Sequence, residues 1–183
     1  MKKILIPALL LPSAAFAHAG HIDGNVFLAG LNHPISGADH VLAMLAVGLW
    51  AAGLGGRAIW ALPASFVSAM LVGGALGAFG ITLPMVEPMI LASIIVLGAA
   101  VGLALRLPLP AMLAGVALFG AAHGFAHGAE GPSTGLTLYA LGFGAATMAL
   151  HLLGIAIGRG LPALILRASG AAVATAGLAL ALA

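Results

Sequence analysis

Between Ile35 and Leu182 the chain offers hydrocarbon almost everywhere. Six stretches can be drawn, Ile35–Leu54, Ala58–Gly80, Met85–Leu105, Pro110–His127, Leu136–Ile157 and Leu161–Leu182, each close to the roughly 20 apolar residues that cross a bilayer as a helix. Short links carrying Gly55-Gly56, Leu83-Pro84, Pro108 and Gly131-Pro132 separate them. Few folds survive this pattern. A segment in lipid must satisfy its own backbone hydrogen bonds, so it is a helix or part of a closed barrel, and the alternating polarity of barrel strands is absent. The predicted fold is all-α: a polytopic transmembrane bundle of six spans over residues 18–183.

Composition agrees. Of 183 residues, 63% are hydrophobic and only four are acidic and six basic, too few charges to coat a soluble domain of this size. No Lys/Arg-rich run exists to bind nucleic acid. The lack of cysteine excludes disulfides, thiolate metal sites and cysteine nucleophiles. The 27 glycines suit close helix–helix approach in lipid, where small residues replace the missing hydrophobic drive.

The first 17 residues, MKKILIPALLLPSAAFA, have a basic start (Lys2, Lys3), a short apolar run and an A-x-A end at Ala15-Phe16-Ala17, the pattern of a cleavable signal peptide. Cleavage would leave His18 as the mature N-terminus. The expected setting is a bacterial inner membrane with both mature termini in the periplasm. Arg57, Arg106 and Arg159 then fall in the three cytoplasmic loops, as the positive-inside rule requires. Arg167 lies close enough to that side to snorkel back.

The ionisable residues sort to the other end. His33, Asp39 and His40 stand at the mouth of the first span, His123, His127 and Glu130 at the outer end of the fourth, and Glu87 opens the third. His151 alone lies toward the inner half. Such residues are costly in a membrane and mark binding or ion paths. His123, His127 and Glu130 share one helical stripe by their i, i+4, i+7 spacing, and an i, i+4 histidine pair can close on one metal ion. His33 and His40 are two turns apart, about 10.5 Å on a straight helix, too far to share an ion. Pro34 suits a first helical position, placing His33 on the entering loop with Ser36 as the natural cap. On this reading Asp39 and His40 are inner ligands, His33 a capture residue at the rim, and Met44 a further soft donor. His, Asp and Glu without thiolates suit a borderline divalent cation such as nickel or cobalt.

At these residues the chain resembles the HupE/UreJ family of hydrogenase- and urease-associated membrane proteins. The family pattern His-x5-Asp-His matches His33, Asp39 and His40. Its second pattern, Phe-His-Gly-x-Ala-His-Gly-x-Glu, matches His123, Gly124, Ala126, His127, Gly128 and Glu130, with Ala122 where phenylalanine is frequent. The resemblance implies a permease, and not an enzyme, that carries Ni2+ or Co2+ inward with no permanently bound cofactor. Its partners are the cation and the lipid bilayer; its oligomeric state is open. Two other classes fit histidines on separate helices: a b-type haem protein with His40 and His127 as axial ligands, and an intramembrane metallohydrolase with Glu130 or Asp39 as base.

Overall fold

The structure, a computed structural model, describes residues 25–183; the expected signal peptide, residues 1–17, lies outside them. Among the described residues all regular structure is helical: α1 (Val26–Ser36), α2 (Ala38–Leu54), α3 (Ala58–Ala78), α4 (Val86–Gly102), α5 (Leu109–Ala129), α6 (Leu136–Gly160) and α7 (Ala163–Ala181). Helices α2 to α7 occupy the six apolar stretches. Four of them, α3, α5, α6 and α7, are long and apolar enough to cross a membrane alone. Helix α4 is a shorter apolar helix, and α1 with α2 passes only as a bent pair. The protein is a multi-pass membrane protein.

Helix α1 corrects the sequence reading. Ser36 is no cap but the last residue of α1, its hydroxyl donating to the His33 carbonyl, and α1 itself is capped by Asn25, whose side chain accepts hydrogen bonds from the Phe27 and Leu28 amides. Pro34 sits inside α1, so His33 is helical and not on a loop. The chain then turns extended at Gly37 and enters α2 at 82° to α1. An 11-residue helix cannot span a bilayer and so escapes a search for spans.

Glycine sets how the bundle closes. A Cβ at Gly120, Gly124 or Gly128 would fall on the backbone carbonyl of Phe66, Met70 or Gly74 respectively. Residue numbers rise together along this contact, so α3 and α5 run parallel, backbone against backbone. Helices α2 and α6 repeat the arrangement, with Gly154 against Leu45 and Gly158 against Ala52. Helices α4 and α7 pack antiparallel, Gly98 against Ala174 and Gly177 against Ile94, while α1 crosses the start of α6, where Gly30 meets Tyr139. These contacts fill the role that the composition assigns to glycine.

Polar groups then separate to two ends. At one, the Arg106 guanidinium donates to the Gly53 carbonyl at 3.5 Å and Arg167 Nε to the Gly102 carbonyl at 2.9 Å, covering free carbonyls at the C-terminal ends of α2 and α4. The Trp50 indole donates to Leu105 there. At the other end lie His33, His40, His123 and His127.

Candidate functional site

Helix α5 places two histidines by the same device that packs it. His123 and His127 each precede a glycine of the α3 contact by one residue, so they point about 100° around the helix from that ridge. That direction is the bundle interior, where α2 and α6 converge. His123 is fully buried and His127 nearly so.

The closest pairing joins two helices. His127 Nε2 meets His40 Nε2 directly. Behind His40, its Nδ1–H donates to Asp39 Oδ1 at 2.8 Å, and the same oxygen accepts the His40 backbone amide at 2.9 Å. Asp39 therefore answers a free amide of the α2 N-terminus and fixes the tautomer of His40, leaving the His40 Nε2 lone pair to face His127. Carboxylate, imidazole and then an open nitrogen is the order in which proteins orient a metal-binding histidine.

The other predicted residues surround this pair unequally. The His33 ring stands edge-on to His127 with centroids 4.6 Å apart, brought there by the break at Gly37. His123 lies 4.8 Å from the His40 ring. Ser93 Oγ donates to the Ile90 carbonyl at 2.6 Å, so it accepts from His123 Nε2–H at 3.0 Å, which leaves His123 Nδ1 a lone pair. That nitrogen, and Nδ1 of His127, is buried without a hydrogen-bond partner, an arrangement that costs about 1–3 kcal/mol per group when nothing repays it. Glu130 is the exposed C-cap of α5 and does not touch the histidine rings through any hydrogen bond. Met44 is sealed in the apolar core. Among the described residues no three His, Asp or Glu side chains are already disposed to close on one ion; the centre is a facing imidazole pair with neighbours at ring-contact distance.

Aromatic rings wall the pair. Phe143 packs on His127 at 4.5 Å and Tyr139 on His33 at 5.9 Å. A cavity of about 330 Å³ between α3, α5 and α6 reaches His127 from the side, but its walls are Leu71, Ala75, Leu136 and similar groups, so it faces lipid chemistry and not ions.

The family described as HupE / UreJ protein matches residues 6–180. The chain belongs to the HupE/UreJ family. It is 47% identical to "Protein HupE" of Rhizobium leguminosarum bv. viciae over 185 residues, covering 96% of this chain and 94% of that one. No solved structure matches it. Both histidine patterns through which the sequence resembles the HupE/UreJ family thus lie within the matched length, and the fold brings their histidines into one cluster.

Sequence reasoning missed Ser93, Phe143 and Tyr139. A lone serine in a glycine-rich apolar helix carries no signal of its own, since such residues commonly bond back to their own helix, as Ser93 also does. The aromatic pair does carry one: Tyr139 and Phe143 are one turn apart on α6, a stripe at helical spacing.

Proposed function

We propose that the chain is a permease that admits a divalent transition-metal cation, nickel or cobalt, from the periplasm to the cytoplasm, with the His40–His127 pair as its first binding station. The observation that carries this reading is the interhelical Nε2 contact backed by Asp39. Two imidazole nitrogens supply enough affinity to strip part of a cation's hydration shell. They leave its other positions to water, His33 or the His123 lone pair, so release stays possible, as conduction requires. His127 lies in the last turn of α5, at the negative end of its dipole, and the Asp39 carboxylate beside His40 offsets the positive N-terminal end of α2, so a positive charge can be held there.

In this reading α2 to α7 make six crossings. Helices α2 and α4, at 17 residues each, reach about 25 Å, short for a bilayer, and α1 extends the first crossing across the mouth. Residues 1–17 are a signal peptide, the membrane is the bacterial inner membrane and the arginine end is cytoplasmic. Glu130 and Glu87, both at the histidine end, raise the local cation concentration there. A haem held by His40 and His127 would need a flat slot between two rings that are in contact. A hydrolase base would need a free carboxylate at the imidazole pair, whereas Asp39 is committed to His40 and Glu130 stands at the exposed end of α5 without a hydrogen bond to the histidine rings.

Uptake of radioactive nickel by cells expressing the protein, competed in turn with cobalt, zinc and copper, tests the reading. Saturable uptake that nickel and cobalt suppress is expected; uptake no greater than in cells without the protein sinks it. Orientation is checked by Gly131→Cys and Gly56→Cys: an impermeant thiol reagent added to the periplasm should label only the first.

A further inference from the structure

Four residues of α6, Tyr139, Phe143, Thr147 and His151, recur at intervals of four and so form one stripe down the helix. All four are buried. The first two touch His33 and His127. The third donates its hydroxyl to Met70 Sδ at 3.6 Å. The fourth ends the polar series: one turn further the stripe continues with Ile155, in the apolar core.

His151 is fully buried, and neither ring nitrogen has a hydrogen-bond partner. An intramembrane histidine is ordinarily explained as hydrogen-bond glue between helices, but this one bonds to nothing. As packing alone it is a poor choice, because leucine fills similar space without a desolvated dipole. Its ring stands edge-on to Phe66 at 5.1 Å, and the same Phe66 ring lies 5.5 Å from His123. One aromatic side chain therefore touches both the innermost histidine of the outer cluster and His151. The depth is substantial: the His151 backbone lies against Gly48, which is eight residues, or about 12 Å, beyond His40 along α2.

We propose that His151 is a second, inner station for the transported cation. The ion leaves the His40–His127 pair, passes His123 and the Phe66 ring, and is held by the His151 imidazole with the Thr147 hydroxyl and Met70 thioether one turn above. Phe66 divides the two stations, so an ion reaches the inner one only when that ring moves. The inference rests on the permease reading and extends it to the middle of the bundle. Nitrogen with a thioether nearby also makes this station softer than the outer one, favouring nickel over harder divalent ions.

Two measurements on the purified full-length protein test it. In proteoliposomes loaded through radioactive nickel, His151→Leu should lower the turnover rate at least about tenfold, while equilibrium cobalt binding at the outer pair, read by ligand-field absorption, stays within about twofold of the unaltered protein. His151→Met, which keeps a donor, should recover part of the turnover. Near-normal turnover in His151→Leu, or equal loss in both variants with binding intact, overturns the proposal. Should His151→Leu fail to accumulate, the unaltered protein still decides: copper(II) with ascorbate should oxidise His151 as well as His40 and His127, detected by mass spectrometry, with nickel protecting all three. Oxidation confined to the outer histidines overturns the inner station. Absence of nickel uptake and of cobalt binding in the unaltered protein would instead defeat the permease reading itself.

Discussion

The two ends of the bundle treat their polar side chains in opposite ways. At the arginine end, Arg106 and Arg167 are exposed and donate to the Gly53 and Gly102 carbonyls, so each charge keeps its water and covers a helix terminus. At the histidine end, His40, His123 and His127 are buried, and Nδ1 of both His123 and His127 is left without a partner. The first arrangement stabilises the fold. The second costs stability, and a cost that the fold does not repay points to a function.

The comparison breaks most directly at His40 and His127. His40→Ala and His127→Ala should each cut nickel uptake by about 100-fold or more, as loss of one of two ligands implies, with membrane abundance unchanged or raised. Uptake normalised to immunoblotted protein checks this. If abundance fell in parallel with uptake, the histidines would be structural, like the arginines.

Asp39→Asn comes next. It keeps the shape beside His40 but loses the charge that orients the ring, so the metal concentration for half-maximal uptake should rise by about 10- to 100-fold. A smaller step is expected at His33, which meets His127 edge-on without a nitrogen contact: His33→Ala should raise KM several-fold at unchanged kcat, the signature of lost uniform binding. Complete loss of transport there would make His33 a full ligand. Smallest is Arg167→Met, which removes one carbonyl contact at an exposed helix end, worth about 1 kcal/mol. Thermal melting in detergent should fall by a few degrees, as about 1 kcal/mol does in a chain of this size, while uptake per molecule holds.

Much of this was legible in the sequence, for physical reasons that differ by element. Helices α2 to α7 follow from apolar length, because a bilayer enforces helix wherever hydrocarbon runs for about 20 residues. Helix α1 obeys no such rule. It is short, carries Asn32, His33 and Pro34, and owes its place to packing of Gly30 on Tyr139, which no local pattern encodes. The i, i+4 spacing of His123 and His127 put both on the inner face. It did not reveal that the nearest nitrogen to His127 comes from His40, 87 residues away. The sequence pattern marks Asp39 as a metal ligand, but in the fold it accepts a terminal amide and the His40 ring together, so it serves the helix end as well as the histidine. His151 could be placed on α6 but not judged: only the three-dimensional structure shows that its nitrogens bond to nothing.

The parallel course of the glycine-packed pairs dictates an order of assembly. Antiparallel neighbours can zip up as hairpins while the chain is still emerging, but α3 cannot meet α5, nor α2 meet α6, until the intervening helices have been made and moved aside. These contacts are long-range and therefore slow to form. The histidine pair sits on α2 and α5 and is walled by Tyr139 and Phe143 from the first two turns of α6, so it closes only after the start of that helix has been made. On the permease reading, a half-made chain therefore offers a cation no competent mouth, and truncation before Phe143 should remove the wall of the histidine pair as surely as mutating His40 or His127 removes the pair itself.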